Sequence, residues 1–180
     1  MQATHEPAWY ILYTKRRLEK KVMQLLTRKK IVHYCPINKI RQQYLNRTTI
    51  ICRPLFPSFV FIHTTPDSFK TINRINSVLS LVHRLESPAT VSNNEINGIK
   101  KFLESHDSVV TRKMPVSFAD LSPTGVGPMI EQEGLNYFAT LNLHSLGYAL
   151  KASVSHESVK PADVVFLNEQ YQAFTVNMAN

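Results

Sequence analysis

The spacing of hydrophobic residues predicts alternating strands and helices in the first part of the chain. Trp9 to Thr14 is aromatic and β-branched, which is typical of a strand. Apolar residues then recur at helical spacing from Leu18 to Leu26, which predicts an amphipathic helix whose other faces carry cations. Ile31 to Ile40 predicts a strand that breaks near Pro36, because proline lacks the N–H that a central strand needs.

A polar segment and an unusually apolar segment follow. Residues 41–48 predict a hairpin tip, and Thr49 to Cys52 predicts the start of its return strand. Pro54 and Pro57 then flank a turn that leads into a strand, Phe59 to Ile62. Because this strand is apolar on both faces, each face must be covered by the protein's own helices or by a partner.

Three further elements complete a first domain. Pro66 at a helix start predicts a second helix, Val78 to Leu85 predicts a strand, and the capping box Ser92 to Glu95 predicts a third helix that ends near Ser105. The order of these elements is β-α-β-β-α-β-α. We therefore predict an α+β fold, with an antiparallel sheet flanked by helices, over residues 8–106.

The pattern changes after residue 106. Residues 107–117 lack periodicity and predict a linker. Over residues 118–166, short apolar stretches lie between glycines, which is typical of a small β-barrel, and its clearest strands are Tyr137 to Leu143 and Leu150 to Val154. We interpret residues 167–180 as a C-terminal tail, with a further strand after Val164 as the alternative.

The positive charge is concentrated in the first third of the chain. All 180 residues together carry a net charge of +8, whereas residues 1–53 alone hold 12 Lys and Arg against Glu6 and Glu19. Such a concentration favours a polyanionic partner, through long-range attraction and through release of counterions from phosphates. The alternative is a solvated helix face that serves solubility.

No pattern typical of catalysis or of cofactor binding occurs. The sequence lacks the glycine-rich phosphate motifs, the metalloprotease motif and the nucleophile elbow. The seven histidines and two cysteines also lack the spacing of metal ligands. We therefore expect no enzyme, no catalytic residue, no metal and no cofactor. A thiol–imidazole pair, Cys35 with His33 or Cys52 with His63, is the alternative.

The same sequence features bear on location. Two cysteines form no disulfide scaffold, and no apolar run reaches the roughly 18 residues that span a bilayer. The first residues do not follow the pattern of a secretory signal. A hydrophobic content of 43% suffices for packed cores. We expect a cytoplasmic monomer without membrane contact.

Two groups of side chains are candidates for binding. Phe56, between two prolines, is expected to be the least buried aromatic residue of its segment, and an exposed aromatic there would mark a protein interface. Core packing is the alternative for this phenylalanine-rich segment. The cations of the first third are expected to form a polar surface for nucleic acid, with solvation of a hairpin as the alternative.

The motifs resemble those of a known family. Trp9-Tyr-Ile-Leu-Tyr13-Thr-Lys15, a Leu-Glu-Lys-Lys-Val helix and Pro54-Leu-Phe-Pro-Ser-Phe-Val-Phe-Ile62 resemble, in this order, the amino-terminal (NGN) domain of NusG-like transcription elongation factors. These sequence motifs are most similar to those of the RfaH-like and UpxY-type antiterminators of bacterial polysaccharide operons. Over residues 8–106, the resemblance implies a factor that binds RNA polymerase and reduces pausing and termination at a specific operon.

Carried over residue by residue, the resemblance also implies which side chains bind. The clamp helices of the polymerase's largest subunit would contact Phe56, Pro57, Ser58 and Phe59, with Phe61 and Tyr13 as weaker candidates. Upstream or non-template DNA would face a basic turn and nearby cations, namely Lys15, Arg16, Arg17, Lys20, Lys39, Arg41 and Arg47.

The second domain resembles the KOW barrel that usually follows in this family, where it implies a ribosomal protein as a further partner. Gly127 to Gly134 matches the KOW wording, except that Glu131 replaces a glycine. A side chain at a position that needs a positive φ would strain the turn, and Pro123 is awkward in an opening strand over 118–126. We therefore expect a degenerate KOW-like barrel. The alternative function is a general RNA- or ribosome-binding KOW-type module.

Overall fold

The chain forms two units, and the computed structural model describes residues 6–84, 86–114, 128–155, 164–167 and 173–174. One unit consists of Met1–Asn38 with Cys52–Asn97, and the other of Lys39–Ile51 with Gly98–Asn180. The predicted boundaries, 8–106, 107–117, 118–166 and 167–180, differ from this division and stay a prediction.

The described residues form three α-helices and fifteen strands. The helices are α1 (Glu19–Arg28), α2 (Phe69–Asn73) and α3 (Asn93–Ser105). The strands are, in chain order, β1 (Ala8–Thr14), β2 (Val32–Tyr34), β3 (Ile37–Tyr44), β4 (Arg47–Pro54), β5 (Phe59–Thr64), β6 (Val78–Leu81), β7 (His83–Arg84), β8 (Ser87–Pro88), β9 (Thr90–Val91), β10 (Val110–Lys113), β11 (Met129–Glu133), β12 (Asn136–Leu143), β13 (Tyr148–Val154), β14 (Val164–Leu167) and β15 (Ala173–Phe174).

An antiparallel sheet with the order β2-β5-β1-β6 forms the core of the first unit, and β9 also pairs with β1. Leu12 of β1 and Val60 of β5 are completely buried against Val22 and Leu26 of α1 and Ile72 of α2. The helical stripe predicted in α1 therefore covers one face of the sheet. The predicted α+β fold with an antiparallel sheet flanked by helices is confirmed.

Strands β3 and β4 form a separate two-stranded hairpin. The predicted strand 31–40 does break at Pro36, because β2 ends before it and β3 begins after it. The predicted tip over residues 41–48 is wrong, since the strands reach Tyr44 and restart at Arg47, which leaves only Leu45 and Asn46 as the turn. Threonine and isoleucine in this segment favour extended backbone, and this preference lengthens both strands.

The predicted strand from Val78 to Leu85 is also too long. Strand β6 ends at Leu81, and the chain then forms the short antiparallel pair β7–β8. The backbone N–H of Val82 donates to the carbonyl of Ile11, and the carbonyl of Val82 accepts from Ala89. Val82 therefore stays bonded to β1, and the β7–β8 pair extends beyond it before β9 returns to β1.

The second unit contains a sheet with the order β10-β13-β12-β11-β14-β15. The two predicted barrel strands are confirmed as parts of β12 and β13, which pair from Tyr137 opposite Val154 to Leu143 opposite Tyr148. Within the segment predicted as a linker, residues Val110–Lys113 form β10, which pairs with β13. The predicted opening strand over 118–126, with Pro123, lies outside the described residues.

Glu131 does not occupy a strained turn. It lies in β11 opposite Phe138, and the following turn places its positive φ at Gly134. Nζ of Lys151, which is nearly buried, lies 4.0 Å from a carboxylate oxygen of Glu131 and also forms an ion pair with Glu133. The expected strain at position 131 is therefore wrong, because a strand accepts any side chain, and here the carboxylate compensates a buried lysine.

Candidate binding surfaces

A tightly bonded turn, Pro54–Phe59, connects β4 to β5. The backbone N–H of Leu55 donates to the carbonyl of Pro36, and that of Phe59 donates to the carbonyl of Phe56. Ser58 is buried with a φ of 66°, a left-handed conformation that is uncommon outside glycine. Hydrogen bonds to residues of α1 and β1 hold this conformation in place.

Two elements hold Ser58 on both of its backbone groups. Its N–H donates to Oε1 of Glu19 at 2.7 Å, and its carbonyl accepts from the N–H of Thr14 at 2.8 Å. Glu19 lies in the first turn of α1 and is itself buried. Helix α1 and strand β1 therefore fix the turn between them.

Phe56 lies inside this turn and is not exposed. Only 5% of its surface is accessible, and its ring packs almost perpendicular to the ring of Phe61 with 6.1 Å between centroids. The expectation that Phe56 is the least buried aromatic residue of its segment is wrong, because the turn folds its side chain onto Phe61 instead of the sheet rim. Pro57 is exposed, and Phe61 is completely buried.

Beside this turn, solvent reaches two aromatic residues, Tyr13 and Phe59. These residues lie directly opposite each other on β1 and β5, with 6.0 Å between ring centroids and an interplanar angle of 70°. Tyr13 is 42% exposed and Phe59 is partly buried. We call these two residues the aromatic pair. Of the six predicted polymerase-binding residues, the structure leaves Tyr13, Pro57 and Phe59 accessible.

Cys35 contacts the backbone of Phe59 in the aromatic pair. Its thiol donates to the carbonyl of Phe59 with an Sγ–O distance of 3.8 Å. Burial, and secondly the charge of Glu19, raise the pKa of Cys35 from 9.0 to about 11. A nucleophilic cysteine needs a lowered pKa, so the arrangement opposes the thiol–imidazole alternative at Cys35. The described residues contain no group of three or more His, Cys, Asp or Glu side chains arranged for a metal ion.

The basic turn, Lys15–Arg17, directly follows β1, and all three of its side chains are exposed. The N–H of Lys15 donates to the carbonyl of Ser77, and Arg17 has a φ of 65°. Lys20 is exposed one residue into α1. The structure therefore brings four of the predicted nucleic-acid contacts together at the start of α1, close along the chain to Tyr13.

The other predicted cations, Lys39, Arg41 and Arg47, are exposed on the β3–β4 hairpin. Arg41 differs from the other two because Nε and Nη2 both lie 2.8 Å from Oδ2 of Asp107. Ser108 adds a hydrogen bond from its N–H to the carbonyl of Lys39, and its hydroxyl accepts from the N–H of Arg41. Arg41 thus anchors the hairpin base, and its charge is already compensated.

Sequence reasoning did not identify Glu19 and Asp107 as supporting residues. Glu19 is the single carboxylate among the cations between Lys15 and Lys30, and that isolation was a usable signal. The partners of both residues lie far along the chain, Ser58 for Glu19 and Arg41 for Asp107. No local pattern predicts pairings of this length. Among the described residues, no helix is long and apolar enough to cross a membrane.

Comparison with known proteins places the chain in a family. Residues 7–100, more than half of the chain, match the family described as "Transcription termination factor nusG". A solved structure described as "Domain interaction in Thermotoga maritima NusG" is similar, with a TM-score of 0.48 and 15% sequence identity over 83% of this chain and 93% of that one. Members of the family are transcription factors, not enzymes, and generally bind RNA polymerase. On the match over residues 7–100, this chain belongs to the NusG family.

Proposed function

We propose that the protein is a transcription antitermination factor that docks on RNA polymerase through the aromatic pair. One observation carries the proposal: Tyr13 is an exposed aromatic residue on a central strand, directly opposite Phe59 and supported by the turn that Glu19 holds. Aromatic side chains on a rigid base lose little conformational entropy on binding, and they dominate many interfaces. By the resemblance, the partner that binds the aromatic pair is the clamp helices of the polymerase's largest subunit.

The basic turn supplies the second contact of the proposal. It follows Tyr13 closely in the chain, so a partner seated on the aromatic pair brings nearby phosphates within reach of Lys15, Arg16 and Arg17. Upstream or non-template DNA is the polyanion next to the clamp in a transcribing polymerase. Phosphate contacts position a protein without carrying sequence information.

In this mechanism the factor acts only by binding one conformation of polymerase more tightly than another. A factor that binds the non-paused conformation of polymerase about 1–3 kcal/mol more tightly than the paused one shifts pausing severalfold. Restriction to one polysaccharide-type operon would require base-specific contacts in addition. The second unit, as a KOW-like module, would take a ribosomal protein as its partner.

Binding of purified bacterial core RNA polymerase to immobilised protein tests the docking surface. We expect Tyr13→Ala or Phe59→Ala to weaken binding by about 2 kcal/mol, the loss that defines a hot spot. Val32→Ala is the matched control, because Val32 is similarly exposed on β2 of the same sheet and pairs with His63, away from Phe59 along β5. Each variant is first checked for an unchanged circular dichroism spectrum.

Two outcomes oppose the proposal. If both aromatic variants bind polymerase as tightly as the wild type does, the aromatic pair is not the docking surface. If the wild-type protein does not bind polymerase but binds RNA or ribosomes, the protein is better described as a general KOW-type module. A transcription assay on a template with a strong pause then measures whether bound protein shortens the pause.

A further inference from the structure

Leu45, at the tip of the β3–β4 hairpin, is unusual for a turn residue in both its exposure and its backbone conformation. Leu45 is completely exposed to solvent, although it is apolar. It also has a φ of 34°, in the region where turns favour Gly, Asn or Asp. Positions that break local rules without a structural gain are often functional.

The surroundings of Leu45 indicate what it binds. The preceding Tyr44 is about half exposed, and all residues from 41 to 50 are exposed. The hairpin carries four cations and not one carboxylate between Ile37 and Pro54, namely Lys39, Arg41, Arg47 and Arg53. Asp107 compensates Arg41, which leaves Lys39, Arg47 and Arg53 beside the tip. An exposed aromatic and an exposed aliphatic residue next to these cations form a surface complementary to nucleic acid.

A second exposed leucine shows that exposure alone is not informative. Leu135 is 93% exposed in the turn between β11 and β12. There Gly134 takes the positive φ, and Glu133 precedes the turn in place of an aromatic residue. The β11–β12 turn therefore follows the local rule for backbone conformation and has the opposite charge, so it provides a control within the same chain.

The hairpin base holds the tip at a fixed distance from its anchor. Arg41 and Lys39 bond to Asp107 and Ser108, whereas the tip begins three residues beyond Arg41. At the rise of a strand, these three residues span roughly 10 Å. The tip therefore extends beyond the part of the hairpin that Asp107 and Ser108 hold in place.

We propose that Tyr44 and Leu45 bind unpaired nucleotides. Bases stack on Tyr44, Leu45 inserts between neighbouring bases, and Arg47 and Lys39 contact the phosphates. Base faces are hidden in a duplex, so this site selects single strands and bubbles. The inference deepens the proposed function, because it assigns the hairpin contact to unpaired bases, and it is tested without polymerase.

Fluorescence anisotropy with the full chain tests the site on a labelled single strand, the matching duplex and the same duplex with a central bubble. Leu45→Asn is the main variant, because asparagine tolerates a positive φ and the fold should be at least as stable. We expect Leu45→Asn and Tyr44→Ala to weaken binding to the single strand and the bubble by roughly 5- to 30-fold, with little change for the duplex. Leu135→Asn should bind all three probes as the wild type does.

Salt dependence separates stacking from charge. Leu45→Asn should leave the slope of log affinity against log salt unchanged, whereas Arg47→Ala should reduce it by about 0.7 on single strands. The proposal is overturned if Leu45→Asn and Tyr44→Ala bind as the wild type does, or if they lose affinity for all three probes equally. Variants that keep nucleic-acid affinity but lose polymerase would assign the tip to a protein and also overturn it. Failure of the aromatic pair to bind polymerase leaves this test unaffected.

Discussion

The carboxylate of Glu19 accepts a 2.7 Å hydrogen bond from the backbone N–H of Ser58, 39 residues later in the chain. Both residues are buried, and Ser58 is in a left-handed conformation. A charged acceptor in a buried site forms a stronger hydrogen bond than a neutral one. The first turn of α1 therefore determines the shape of the turn that leads into Phe59.

Removing this acceptor should destabilise the first unit. We expect Glu19→Ala to lower the free energy of unfolding by about 2–3 kcal/mol, because the N–H of Ser58 is left buried and unsatisfied. Glu19→Gln keeps an acceptor and should recover part of the loss. Urea unfolding measures both. Lys20→Ala, one residue away and exposed, is the control and should change stability by less than about 0.5 kcal/mol.

Truncation of Phe56 should destabilise the protein far more than truncation of Tyr13. Phe56→Ala removes a buried ring that packs on Phe61, so we expect a loss of about 3–5 kcal/mol in unfolding free energy. Tyr13→Ala removes a ring that is 42% exposed and should cost less, about 1 kcal/mol. Thermal unfolding followed by circular dichroism compares the two variants. A Phe56→Ala protein as stable as the wild type would contradict the buried position of this ring.

Arg41 and Arg47 should contribute unequally to nucleic-acid binding. Asp107 already compensates the charge of Arg41, so Arg41→Ala should change the salt slope on duplex DNA far less than the roughly 0.9 expected for a free phosphate contact. Arg47→Ala should show the larger change. Anisotropy titrations at several salt concentrations measure both slopes. Equal slopes for the two variants would show that the ion pair with Asp107 opens when DNA binds.

Cys35 should make the protein less stable at alkaline pH. Its pKa is raised to about 11 in the folded state from 9.0, so the folded protein keeps a proton that the unfolded chain releases above pH 9. This contribution to stability is full below pH 9 and falls as pH rises towards 11, by roughly 1 kcal/mol at pH 10. Urea unfolding under reducing conditions from pH 8 to pH 10 measures the fall.

The two cysteines give a matched comparison for that titration. Cys35→Ala should flatten the alkaline decline, whereas Cys52→Ala should leave it unchanged because Cys52 is exposed on β4. A thiol reagent at pH 8 should also modify Cys52 much faster than Cys35 in the native protein. Equal alkaline declines in the two variants would mean that other groups cause the effect.

The predictable parts of the fold are those that periodicity encodes. The helical stripe from Leu18 to Leu26 and the apolar strand after Pro57 correspond to α1 and β5, because burial of alternating or helically spaced side chains dominates their stability. The length of β3 and β4 was less predictable, since strand pairing between polar segments leaves little trace in hydrophobicity. Strand β10 was missed for the same reason.

The predictable part of the candidate site was its location along the chain, not the orientation of its side chains. The segment around Phe56 was recognised from its prolines and aromatics, but the left-handed Ser58 turns Phe56 inwards and leaves Phe59 beside Tyr13. That conformation depends on Glu19 and Thr14, which lie in other elements. A residue's exposure at a turn is set by such long-range hydrogen bonds, and single-sequence patterns do not contain them.

The anchor of the hairpin has a consequence for the order of events during synthesis. Arg41 and its partner Asp107 are 66 residues apart, so the β3–β4 hairpin leaves the ribosome well before Asp107 is synthesised. At about 5–20 residues per second, the delay is roughly 3–13 s. During that interval the β3–β4 ribbon lacks its hydrogen bonds to Asp107 and Ser108, and an isolated two-stranded hairpin is only marginally stable in water. A nascent chain released before residue 107 would therefore display its cations without a fixed geometry.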